Sequence, residues 1–162
     1  MKPLLITTLI ALALPAHAQD ATYAVRLLAP ETALAAAQAA LKKCRDSGLQ
    51  VAVAVVDRAG VTQVMLRDRF AGAHTPRTAA GKAWTAVSFR TSTTELVRIS
   101  QPGQPQSGIR NLPRAVLLGG GLLIEAQGSI LGAIGVSGAP GGAADDACAQ
   151  AGIDAIRDKI EF

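Results

Sequence analysis

Between Arg67 and Trp84 the sequence RDRFAGAHTPRTAAGKAW gathers one imidazole, His74, with the cations Arg67, Arg69, Arg77 and Lys82 and the indole of Trp84. A neutral imidazole nitrogen ligates iron well, and guanidinium or ammonium heads pair with carboxylates. Together these groups have the chemistry to hold a heme, His74 giving the axial bond and Arg67, Arg77 or Lys82 the propionate contacts. A lone histidine in a loop also fits plain solvation, and Lys82 a surface or interface salt bridge.

Other chemistries find less support. No G-x-S-x-G elbow is present, and Gly135-Val136-Ser137-Gly138 lacks the spacing of one, so a serine hydrolase is disfavoured. Gly119-Gly120-Gly121 opens onto a strand and has no following lysine, which suits a tight turn better than a phosphate loop. Neither Cys44 nor Cys148 has a second Cys or His at metal-ligand spacing. No catalytic set is assigned.

The elements that must position these residues read as follows. Pro30 to Ser47 has apolar positions at Leu34, Ala37, Leu41 and Cys44, with Pro30 and Glu31 suited to a first helical turn and Gly48 to a stop. Leu49 to Val56 is apolar on both faces and predicts a central strand. Asp57-Arg58-Ala59-Gly60 turns the chain into a second strand, Val61 to Arg67, with Asp57 capping the turn. Thr75 to Phe89 is a helix with a stripe of Ala79, Ala83, Ala86 and Val87. Ser92-Thr93-Thr94-Glu95 matches a capping box that starts a short helix ending near Ser100. Gln101 to Pro113 is a loop.

Ala115 to Gly138 is the centre of the sheet. Nine of the 16 glycines fall between Gly119 and Gly142, and glycine inside a strand marks a bulge or another backbone lying close. Ile130, Gly132, Ile134 and Val136 alternate with Leu131, Ala133 and Gly135, and Gln127-Gly128 fits a hairpin turn. Ala144 to Ile160 closes the chain as a helix. The order predicts an α+β chain with a three-layer α/β/α sandwich around a five-stranded, mainly antiparallel sheet.

Residues 1–18 fit a secretory signal peptide: Lys2, an apolar run from Leu4 to Leu14, Pro15, then Ala16-His17-Ala18. The run is too short to span a membrane. Residues 19–162 are then one domain, exported to a periplasm or secreted. Without Lys2 the chain carries 15 basic against 12 acidic side chains, a net charge of +3, dispersed and without interleaved aromatics. That is not the footprint of a nucleic-acid binder but leaves room for an anionic small ligand. An even cysteine count in an oxidising compartment favours a Cys44–Cys148 disulfide, with two separately buried thiols as the alternative. Helices one and last, if antiparallel on one face of the sheet, would bring the two together.

Several stretches resemble the GlcG/HbpS-like heme-binding (haem-degrading domain) family, also found fused to some corrinoid adenosyltransferases. They include Val53 to Asp57 with Gly60, Arg67 with Ala71-Gly72-Ala73, and Lys82-Ala83 with Thr85-Ala86. Thr93 to Leu96, Gly119-Gly120, Gly132 to Gly138, and Asp145 with Ala149, Ala151 and Gly152 complete the pattern, spanning about Glu31 to Ile156. The resemblance implies a profilin-like fold, homo-oligomers, and binding of heme or a related tetrapyrrole, with iron handling or redox sensing in some exported members. Lys82 and Thr93 belong to the shared pattern and would line a pocket; position 74 does not. An enzyme acting on heme or a small organic acid, and an interaction module with no small ligand, remain the alternatives.

Overall fold

The computed structural model describes residues 23–161, so the expected signal peptide lies outside the described residues. The order is α1 (Pro30–Asp46), β1 (Ala52–Asp57), β2 (Thr62–Arg67), α2 (Thr75–Phe89), α3 (Thr93–Ile99), a 3-10 turn (Ser107–Asn111), β3 (Gly121–Ala126), β4 (Ser129–Ser137), α4 (Gly142–Asp154) and α5 (Arg157–Ile160). Among these residues the sheet has four strands in the order β2-β1-β4-β3, every neighbouring pair antiparallel.

The expected fifth strand is absent from the sheet. Ala115 to Leu118 instead crosses the outer side of α2, where the Val116 amide donates to the Thr85 hydroxyl at 2.9 Å. Positive φ at Arg114 and Gly120 bends the segment at both ends, and its amide is satisfied without a neighbouring strand.

Alternation along β1 builds both cores. Val53 and Val55 join Ile134 and Val136 beneath α1 and α4, while Ala52, Ala54 and Val56 face α2. The α1 and α4 layer is pinned by Cys44–Cys148, with a Cα–Cα distance of 5.5 Å. Small residues allow the approach: a Cβ at Gly152 would sit 2.6 Å from the Ala36 carbonyl oxygen. The buried face of α1 is accordingly Ala33, Ala36, Ala37 and Ala40 with Leu41 and Cys44, whereas Leu34, expected inside, is exposed.

On the other face, α2 comes closer still. A Cβ at Gly135 would lie 2.1 Å from the Ala79 oxygen, so helix backbone rests on strand backbone as the glycine pattern predicts. Gly135→Ala should lower the unfolding free energy by about 1–3 kcal/mol through overpacking. Gly108→Ala, where an added Cβ meets nothing within 4 Å, should leave the denaturation midpoint nearly unchanged.

β4 carries a local departure from the expected alternation. Ile124 pairs with Gly132 and Glu125 with Ile130, so Leu131 is an extra residue in the strand. The bulge reverses the phase: Leu131 packs in the α1 and α4 core and Ile130 against the α2 side. The hairpin turn before it has positive φ at both Gln127 and Gly128, the geometry that matches strand twist.

Shorter elements follow their local signals with two differences. Ser92 caps α3 by accepting from the Glu95 amide at 3.1 Å, but the Glu95 carboxylate turns to Arg98 instead of back to Ser92. The closing helix breaks at Ala155-Ile156, which lets Ile156 and Ile160 enter the core.

Candidate functional site

The first turns of α2 separate two recesses, and Thr78 lies in the wall of both. The larger, of about 620 Å³, is bounded by the start of α2, the loop after β2, Leu118-Gly119 and the Ser137 to Gly142 turn. That volume is in the range of small-molecule and cofactor sites.

His74 stands at its rim. The residue precedes α2, and its carbonyl accepts from the Thr78 amide at 3.1 Å and the Thr78 hydroxyl at 3.0 Å, which fixes the backbone while the imidazole stays exposed. The ring lies along Gly72, where a Cβ would come within 2.8 Å of Cε1. Phe70 and Leu118, 77% and 58% exposed, add apolar surface to the recess. Arg69 brings a guanidinium 5.9 Å from the centroid of the Phe70 ring.

The floor holds a buried ion pair. Lys82 Nζ donates to Asp145 Oδ2 at 2.7 Å and to the Val136 carbonyl at 2.8 Å, with both side chains under 5% exposed. Asp145 Oδ1 also accepts from the Ala139 amide at 3.1 Å. Lys82 is thus occupied within the protein, its charge matched by a carboxylate 63 residues away. Gly120 is required beside it, since a Cβ there would sit 2.9 Å from Nζ.

Burial pushes the Asp145 carboxyl above the ordinary range, outweighing Lys82 and the Ala139 amide, which pull it down. An NMR titration of its carboxyl carbon should therefore give a midpoint above that of an unperturbed aspartate. The folded state holds this proton more tightly than the unfolded one, so the group's contribution to stability declines as pH rises through that window. Exposed Glu95, lowered chiefly by its hydrogen bond to Arg98, has the opposite sign: its contribution is lost as pH falls.

Of the residues singled out in the sequence, His74 and Lys82 share the larger recess. Arg77 opens into the smaller one instead. Arg67 lines neither; its guanidinium donates to the Ala71 carbonyl and closes the loop before His74. Thr93 is fully buried, its hydroxyl accepting from the Gly121 amide at 2.9 Å, and anchors α3 to β3. Phe70, Leu118 and the pairing of Asp145 with Lys82 were not singled out. A lysine beside the buried Ala79, Ala83 and Ala86 stripe was the one sequence signal that demanded a carboxylate partner.

Fold and recess together define a three-layer α+β sandwich that offers an open, partly apolar binding site at one helix start. The chain belongs to the family described as haem degrading protein HbpS-like, which matches residues 28–154. A Streptomyces reticuli HbpS double mutant is 38% identical and superposes with a TM-score of 0.77 over 88% of this chain and 96% of that one. A PduOC:heme complex is 30% identical, with a TM-score of 0.75 over 80% of this chain and 95% of that one. Klebsiella pneumoniae ORFY superposes with a TM-score of 0.82 at 30% identity, covering 86% and 97%. In sequence, an uncharacterized 15.0 kDa Citrobacter freundii protein is 36% identical over 104 residues, 63% of this chain and 73% of that one. The corrinoid adenosyltransferase PduO of the same organism is 33% identical over 62% of this chain, but the match spans only 31% of its length.

Among the described residues no helix is long and apolar enough to cross a membrane.

Proposed function

We propose that this protein binds or sequesters heme after export, with the imidazole of His74 as axial ligand in the larger recess. The observation that carries the reading is an exposed imidazole beside Phe70 and Leu118, at the mouth of a recess of about 620 Å³. The residues present fit the group: His74 offers an imidazole nitrogen, Phe70 and Leu118 an apolar wall, and Arg69, next to the Phe70 ring, a cation for a carboxylate. Bound heme would supply the iron chemistry; the chain's part is to ligate, to cover one face and to keep Lys82 neutralised by Asp145. The heme-bound state of a relative at 30% identity supports the ligand class.

Titration of the purified protein with hemin should give a saturable Soret band, and His74→Ala should shift the band and weaken binding at least tenfold. Saturable binding that His74→Ala leaves intact would move the axial ligand elsewhere, and uptake that never saturates would remove heme from the reading. The family description favours a second role, heme degradation. A Soret band that decays under reductant and oxygen would establish it.

Export is supported by the Cys44–Cys148 bridge, which persists in oxidising compartments, and by the leader-like residues 1–18. Iron handling, redox sensing and homo-oligomer formation belong to the same proposal. Among the described residues β2 and β3 are the outer strands of the sheet, the position from which pairing with a second copy would start.

A further inference from the structure

The smaller recess, of about 570 Å³, lies on the other side of Thr78 and has its own chemistry. Its walls include Arg77, Arg114, Trp84, Thr62, Thr78 and Gly81, and no acidic residue lines it. Two guanidiniums therefore face one cavity without a counter-charge. Among the described residues neither Arg77 nor Arg114 has an ion-pair or side-chain hydrogen-bond partner, and Arg114 stacks over Trp84, 4.6 Å from the ring centroid. Both guanidiniums are exposed, so an anion that enters the cavity can pair with each of them.

The indole is held in place. Gly60 in the β1–β2 turn packs on it so closely that a Cβ would lie 2.7 Å from Cδ1. Arg114 has φ of 72°, a conformation uncommon outside glycine, and that backbone sets its guanidinium over the ring. The Thr62 hydroxyl makes no hydrogen bond within the described chain, leaving a polar group free at the edge.

We propose that this recess binds a small organic dicarboxylate, its carboxylates paired to Arg77 and Arg114 and its carbon body beside the edge of the Trp84 indole. Guanidinium forks match carboxylates in geometry, and the apolar indole beside them favours an organic body over a bare inorganic ion. The site is distinct from the His74 recess, and its assignment does not rest on heme binding there.

Trp84 is the single tryptophan of the chain, so its emission reports the site directly. Fumarate, as a small dicarboxylate probe, should change the emission saturably, and calorimetry should give the same affinity. Acetate and inorganic phosphate at equal ionic strength should bind at least tenfold more weakly. Arg77→Ala and Arg114→Ala should each weaken fumarate binding roughly tenfold to hundredfold, the loss expected for one charge-assisted contact. Arg114→Lys should recover part of that loss. Both arginines are exposed, so melting temperatures should stay within a degree or two of the parent's. Absence of saturation with fumarate, phosphate binding as tight as fumarate, or full affinity in either alanine variant would each overturn the assignment.

Discussion

Replacing Cys44 and Cys148 together by alanine should lower the unfolding free energy by about 2–5 kcal/mol. The bridge joins residues 104 apart in sequence, so it removes a large share of the unfolded chain's freedom; for a loop of that size the entropy term approaches about 4.7 kcal/mol. Cys44 is fully buried and Cys148 nearly so, both in the α1 and α4 core, and alanine adds a small packing loss there. At this chain length about 3 kcal/mol corresponds to a fall of roughly 6–12 °C in Tm. Denaturant melts with and without dithiothreitol check the point: reduced parent and alanine variant should unfold together, both well below the oxidised parent. Oxidised and reduced protein unfolding at one midpoint would mean that the bridge contributes nothing.

Lys82→Met should cost about 3–5 kcal/mol, because it strands the Asp145 carboxylate in a site with almost no access to water. The double variant Lys82→Met, Asp145→Leu should regain much of that stability, since a buried ion pair breaks nearly even with apolar residues of similar size. Acid distinguishes this from simple loss of packing. Lys82 is the main influence lowering the Asp145 carboxyl, so its removal raises that group further. The destabilisation should shrink below neutral pH, where the stranded carboxylate takes up a proton, and be largest above it. Urea midpoints measured from pH 5 to 8 would show the trend; a constant difference would rule out the stranded charge as its cause.

How much of this was legible in the sequence follows from which signals are local. β1 reads as central because Val53 and Val55 serve one core while Ala52, Ala54 and Val56 serve the other, and six consecutive apolar residues say so directly. Asp57 caps its turn as expected, accepting from the Ala59 and Val61 amides at 2.8 and 3.0 Å. Gly48, with φ of 74°, ends the first helix, and α2 occupies the predicted Thr75 to Phe89. The cysteine pairing rested on count and compartment, and the antiparallel approach of α1 and α4 supplies the geometry.

What sequence could not give is long-range. Ala115 to Leu118 is as apolar as a strand, yet its amide at Val116 bonds the Thr85 hydroxyl of α2 and not a neighbouring strand. The bulge at Leu131 depends on register against β3, which a single strand does not encode. For the candidate site, the linear cluster from Arg67 to Trp84 does not stay together in space. A helix start fans its side chains to different sides, so His74 and Lys82 went to one recess, Arg77 to another, and Arg67 to neither. Arg114 carried no signal, since its meeting with Trp84 requires the whole turn of chain between them.

Thr78 stands between the two recesses, its hydroxyl bonded to the His74 carbonyl at 3.0 Å. A guest on one side that shifts this partition alters the shape offered on the other, and it pulls on the peptide that carries the imidazole. Thermodynamic reciprocity then fixes the arithmetic: whatever factor the first occupant imposes on the second, the second returns to the first.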